Sequence, residues 1–322
     1  MHYSVLLKES IDLLNIKEDG IYVDCTLGYA GHSKEILKRL KNGFLYAFDQ
    51  DLEAIDYSRK VLSEIGDNFE IIHSNFSNLK SELMERGITH VDGILFDLGF
   101  SSPQIDNESR GFSFMKDADL DMRMDQTAKK SAYDVVNNYS QEELTNIFYK
   151  YAEEKYSRII AKNIVSSRPI KRTLELVDII KRSVPVSYYN TRHPERVIFQ
   201  AIRIEVNNEL GVLESVLPDA IDLLNCDGRI AVITFHSLED RIVKHIFKNA
   251  SEVPEIVKGI PDIPDEYKPK IKLINKKPIV ASNDEINENS RSKSAKLRVI
   301  ERVIIWKNQL QKRELNLKKE KN

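Results

Sequence analysis

Through the first hundred residues, short apolar runs alternate with amphipathic stretches. "IYVDC" at 21–25 has the composition of a buried strand, and "HSKEILKRL" after it sets Ile36, Leu37 and Leu40 on one helical face. "FLYAFD" at 44–49 predicts a second strand, and "LEAIDYSRKVLSEI" places Leu52, Ile55, Val61, Leu62 and Ile65 near helical spacing. "FEIIHS" and "VDGILFD" supply a third and a fourth strand. Such alternation predicts an α/β fold, a parallel sheet with helices on its faces, whose ligands bind at the carboxyl ends of the strands.

After Asp97 the rhythm breaks, and the next strand pattern is "RIAVITF" at 229–235. Between them lie helical patterns, "QEELTNIFYKYAEEKYSRIIAKNIVSS" and "LELVDIIKRSV", the second ended by Pro185. We therefore expect an inserted helical domain at 106–205, a discontinuous α/β core at 1–105 and 206–306, and a solvated basic tail at 307–322. The returning helix "VNNELGVLESVLPDAIDLL" is expected to kink or break at Pro218. The Pro-rich stretch 254–278 reads as a loop, and "KLRVIERVIIW" as a terminal strand.

Composition narrows the class. The chain has 322 residues and a formal net charge of −2, with two distant cysteines, Cys25 and Cys226, in no disulfide or zinc pattern. It shows no leader pattern and no apolar run near the roughly 18 residues of a membrane span, so a soluble cytoplasmic protein without membrane attachment is expected. Charge is uneven: residues 1–149 hold 15 Lys+Arg against 26 Asp+Glu, and residues 150–322 hold 33 against 24. The basic second half suits an anionic partner such as nucleic acid.

The turn "DCTLGYAGHS" at 24–33 resembles a nucleotide-binding turn, but it has too few glycines for a dinucleotide fingerprint. Asp24, Asp49, Phe76 and Asp97 stand at or just beyond the ends of the four predicted strands, as suits an adenosine-containing cofactor. A carboxylate after the second strand accepts both ribose hydroxyls, and Phe76 is placed to pack on adenine. The acidic rim favours a cationic ligand over a pyrophosphate. The unusual stretch 97–125 reads as a long structured loop in which Asp97 and Gln104 reach the cofactor, with Phe100, Phe112 or Phe114 available to stack a base. "TFHSLEDRIVK" lacks a nucleophile elbow; Ser237 reads as the cap of a helix beginning near Leu238, with Asp240 in its first turn. The histidine spacing offers no metal motif. Arg168, Lys171 and Arg172 read equally as phosphate contacts or as a solvated face.

Seven blocks in consistent order carry a family resemblance: "HYSVLLKESIDLL", "YVDCTLGYAGHS", "DGILFDLGFSSPQIDNESRGFSF", "LDMRMD", "FQAIRIEVNNEL", "GRIAVITFHSLEDRIVK" and "RSKSAKLRVIERV". From about residue 2 to 303 the chain closely resembles the bacterial methyltransferases (RsmH/MraW family) that modify the exocyclic N4 of a cytosine in 16S ribosomal RNA. The resemblance implies a class I methyltransferase core, Rossmann-like, with an inserted helical substrate-recognition domain. It implies S-adenosylmethionine as donor and 16S ribosomal RNA in the decoding region of the small subunit as partner; oligomeric state is left open. The implied cofactor contacts are Ala30, Gly31, His32, Asp49, Phe76, Asp97 and Gln104. The chain departs from the family at Ala30, where glycine is usual, at Val197 and Ile198, where Arg-Thr is typical with Arg196 one place away, and at Lys293, where arginine is common.

Cytosine N4 is a poor nucleophile because its lone pair is delocalised into the ring, so an enzyme must align it with the donor and accept its proton. Asp97 is the acceptor candidate, in a pocket that takes a base out of its stack. The competing classes are a nicotinamide-dependent oxidoreductase and a non-catalytic RNA-binding assembly factor.

Overall fold

The computed structural model describes residues 4–99, 108–264 and 267–303, so the expected tail and Gln104 lie outside the described residues. The chain divides into two compact units, Met1–Gly99 with Val212–Asn322, and Phe100–Gly211. No described helix is long and apolar enough to cross a membrane.

The first unit is built on a seven-stranded sheet. In chain order the strands are β1 Ile21–Asp24, β2 Phe44–Asp49, β3 Phe69–His73, β4 Val91–Asp97, β5 Leu224–Thr234, β6 Ile271–Leu273 and β7 Lys296–Arg302. Their spatial order is β3-β2-β1-β4-β5-β7-β6. The first five run parallel, while β7 pairs antiparallel with both β5 and β6. This is the class I methyltransferase sheet, and its order reverses between β1 and β4, where open parallel sheets leave a crevice.

Alternation along the strands makes two apolar faces. Val23, Tyr46, Phe48, Ile94 and Phe96 belong to one buried cluster, and Tyr22, Leu45, Ala47 and Leu95 to the other. The helices of this unit are α1 Leu7–Leu14, α2 Gly31–Leu37, α3 Leu52–Ser63 and α4 Leu79–Glu85 before the insertion. Ile36, Leu37 and Leu40 are buried as expected. Leu52 is not: it stands 53% exposed, because the buried stripe of α3 starts two residues later, at Ala54 and Ile55, and continues to Ser58 and Leu62. Asp51 caps that helix, its side chain accepting from the Glu53 N–H at 3.1 Å.

The second unit has its own core, in which Leu144, Phe148, Ile160, Ile164, Leu176, Ile180, Phe199 and Ile202 are buried together. Its helices are α5 Ala132–Asn138, α6 Gln141–Ala152, α7 Ser157–Ser166, α8 Thr173–Arg182, α9 Val186–Arg192 and α10 Pro194–Asn207. The long pattern beginning at Gln141 divides into two helices because Glu153 turns left-handed at φ 49°. Ser140 and Glu143 form a capping box: the Ser140 N–H donates to Glu143 Oε2 at 2.7 Å, and the Glu143 N–H donates to Ser140 Oγ at 3.2 Å.

Helix α11, Glu209–Leu223, runs through Pro218 without ending there, so of the expected kink or break the break does not occur. Strand β5 begins at Leu224, five residues before the predicted run, and its register with β4 slips between the Val91 and Gly93 pairings. The Pro-rich stretch contributes β6 at the antiparallel edge, which its composition concealed. The remaining helices are α12 Ser237–Ser251 and α13 Asn283–Glu288.

Candidate functional site

The carboxyl ends of β2, β1 and β4 lie side by side and carry Asp49, Asp24 and Asp97. Their surroundings give these three acids different tasks.

Asp24 is buried and organises the turn that follows it. Its Oδ1 accepts from the Thr26 N–H at 3.0 Å and the Thr26 hydroxyl at 3.3 Å, while its Oδ2 accepts from the Ser33 hydroxyl at 2.7 Å. Burial pushes its carboxyl above the usual range, and these donors oppose that. Thr26 in turn accepts the Asp97 N–H on Oγ1 at 2.7 Å, tying the turn to the end of β4.

Asp49 accepts the Gly28 N–H on Oδ2 at 2.7 Å and the Asp51 N–H on Oδ1 at 2.9 Å. A carboxylate has about four lone-pair positions, and the Gln50 backbone N–H also acts on this one, so about one position is left for a further donor. Burial is the main cause that pushes this carboxyl up to about 6.

The turn resolves the question raised by Ala30. Ala30 is left-handed, at φ 62° and ψ 21°, and fully buried as the residue preceding α2. Gly31 answers a different need: a Cβ there would lie 1.7 Å from Ser4 Oγ. Left-handed backbone and close approach therefore fall on consecutive residues, and only the second requires glycine on steric grounds.

His32 follows in the first turn of α2, 4% exposed, with Nδ1 3.5 Å from Asp97 Oδ2. Asp97 Oδ1 is buried and has no hydrogen-bond partner among the described residues. Burial, then the charges of Asp24 and Glu239, hold the Asp97 carboxyl well above the ordinary carboxylate range.

Phe76 opens a short 3-10 turn after β3, and its ring meets Phe96 edge-on at 5.7 Å. Asn75 caps that turn, and its amide donates to Gln50 Oε1 at 2.8 Å, linking the segments that follow β2 and β3. Gln50 and Asn75 went unnoticed in the sequence, although their positions just past strand ends were the available signal. The unit thus brings Ala30, Gly31, His32, Asp49, Phe76 and Asp97 to one sheet edge, with Gln104 outside the described residues.

Glu239 also escaped sequence reading, although "HSLE" holds a capping-box signal. It is buried, and its Oε2 accepts the N–H groups of Phe235 at 2.8 Å and His236 at 3.3 Å. The cap of α12 is accordingly His236 and not Ser237, which is the first helical residue. Asp240 is engaged by Arg298 Nε at 2.7 Å and Lys296 Nζ at 3.3 Å, and forms no triad with its neighbours.

In the second unit, Phe112 and Phe114 pack, partly buried, against that unit's own core, Phe114 meeting Phe199 at 6.1 Å; Phe100 lies outside the described residues. Arg168 donates to the Val136 carbonyl at 2.8 Å, and Arg172 pairs with Asp117 and Asp119. Both are held by the fold, while Lys171 is exposed. At the departure before "FQA", Ile198 is buried and Arg196 exposed.

The chain is 53% identical over 311 residues to the ribosomal RNA small subunit methyltransferase H of Lactiplantibacillus plantarum, with 94% of this chain and 98% of the relative covered. It is 53% identical over 306 residues to the protein of the same name from Exiguobacterium sibiricum, with the same coverage. A family model described as the MraW methylase family matches residues 1–303, and the chain belongs to that family.

Proposed function

We propose that this protein transfers the methyl group of S-adenosylmethionine to the exocyclic N4 of a cytosine in the decoding region of 16S ribosomal RNA, within the small ribosomal subunit. Membership in a methylase family removes the oxidoreductase alternative. The names of the relatives support an RNA of the small subunit as substrate. The choice of N4 rests on the sequence blocks and on one observation: a buried carboxyl oxygen, Asp97 Oδ1, stands without a partner among the described residues at the switch point of the sheet.

The residues at the sheet edge fit the donor. Asp49 would accept from the ribose hydroxyls at its remaining lone-pair position, Phe76 would flank adenine, and Ala30, Gly31 and His32 would follow the methionine end, with Gln104 as a further contact. When bound, the donor supplies an electrophilic sulfonium methyl. Asp97 would accept the N4 proton, so that electron density stays on nitrogen as the new bond forms. Its displacement above the usual carboxylate range makes it a stronger base than a solvent-exposed aspartate.

The test is methyl transfer from labelled donor to small subunits lacking the modification, followed by nucleoside analysis. N4-methylcytidine supports the proposal. Label on a ring carbon overturns it, and no label with folded, donor-binding protein indicates the non-catalytic RNA-binding alternative.

A further inference from the structure

We infer that His32 is a positioning residue for Asp97 and shares with it the proton released from the cytosine amine. This rests on the reading of N4 methylation given above.

Three acids meet in this part of the first unit, and two are occupied. Asp24, from the end of β1, is engaged by Thr26 and Ser33; Glu239, from α12, is engaged by the amides of Phe235 and His236. Asp97 alone of the three has a buried oxygen without a partner among the described residues. Its other oxygen faces the His32 imidazole, carried by α2, at ion-pair distance. Among the described residues, the charged groups around Asp97 are two acids, Asp24 and Glu239, and the His32 imidazole, with the His236 imidazole 3.1 Å from Glu239.

That arrangement disfavours a bare negative charge on Asp97 and favours the state in which it has gained a proton. In the transfer the N4–methyl bond forms, the methyl–sulfur bond breaks with its electron pair left on sulfur, and one N4 proton passes to Asp97 Oδ1. The pair begins as carboxylate and neutral imidazole. It ends with one added proton, held as carboxylic acid beside imidazole or as carboxylate beside imidazolium. Two places for one proton make the pair a stronger base than either group alone, so its apparent pKa belongs to both.

The experiment compares wild type with His32→Gln and His32→Asn, using small subunits lacking the modification and calorimetry with S-adenosylhomocysteine. Loss of the shared proton site predicts a fall in kcat of about tenfold or more that exceeds any loss of affinity for S-adenosylhomocysteine, and an acid limb of the kcat profile moved to lower pH. A wild-type kcat with an unmoved limb overturns the inference, and so does a loss of kcat matched by an equal loss of affinity. A readout that leaves His32 in place is its ring-proton titration, which should move when Asp97 becomes Asn; an unmoved titration overturns the coupling. If wild type gives a product other than N4-methylcytidine, the underlying reading fails as well, whereas N4-methylcytidine with insensitive His32 variants removes this inference alone.

Discussion

The Gly28 N–H donates to Asp49 Oδ2 at 2.7 Å, binding the turn after β1 to the end of β2. Asp49 is thereby aimed before any ligand arrives. Burial raises its carboxyl from 3.8 to about 6, and ribose hydroxyls donate best to the ionised form. Affinity for the donor should therefore be full above about 6 and fall as pH drops through that value. For stability the sign is opposite: the raised group favours the folded state when protonated, so its contribution is present below 3.8 and lost as pH rises through about 6. Asp49→Asn should weaken binding by about 10- to 100-fold and flatten this pH dependence, as calorimetry across pH 5–8 would show.

Ala30 should tolerate glycine with little net change. Left-handed alanine costs about 1–2 kcal/mol, but its buried methyl contributes about 0.8 kcal/mol, and glycine adds chain entropy to the unfolded state. Ala30→Gly should thus alter unfolding free energy by less than about 1 kcal/mol. A β-branched residue cannot adopt this dihedral cheaply, and Ala30→Val should destabilise by about 2 kcal/mol or more. Urea denaturation would measure both.

Gly31 should be far less tolerant than its neighbour. Gly31→Ala places a methyl against Ser4 Oγ, and displacing Ser4 should cost about 1–3 kcal/mol. Ser4→Ala removes that oxygen, leaving Ser4 Cβ at 3.0 Å as the next contact. The double variant should recover most of the loss in thermal unfolding; an equal loss in both backgrounds would contradict the close-approach account.

Glu239 links helix capping to the chemistry of Asp97. Glu239→Gln keeps an oxygen for the Phe235 and His236 amides but removes a charge that helps hold the Asp97 carboxyl up. The acid limb of the methyl-transfer profile should move to lower pH, with unfolding free energy changed by about 1 kcal/mol. Glu239→Ala leaves both amides without their acceptor and should cost about 2 kcal/mol or more.

Local pattern by itself determined the parallel half of the sheet and where its strands end. The apolar runs at 21–25, 44–49 and 91–97 are too short for helices, and an Asp ends each of these strands. That was enough to bring Asp49, Phe76 and Asp97 forward as a set, and the sequence blocks added Ala30, Gly31 and His32. Features that depend on distant partners were not legible. Leu52 has helical spacing yet faces solvent, because burial depends on where the neighbouring sheet lies and not on period alone. Strand β6 forms in a Pro-rich stretch because β7 offers it an edge. Most of all, three acids of one residue class could not be told apart by type or spacing. Tertiary structure supplies Asp24 and Glu239 with donors and, among the described residues, leaves one oxygen of Asp97 buried without one, beside His32. A carboxyl's base strength is set by what surrounds it, and those surroundings come from β1, α2, β4 and α12, which only the fold brings together.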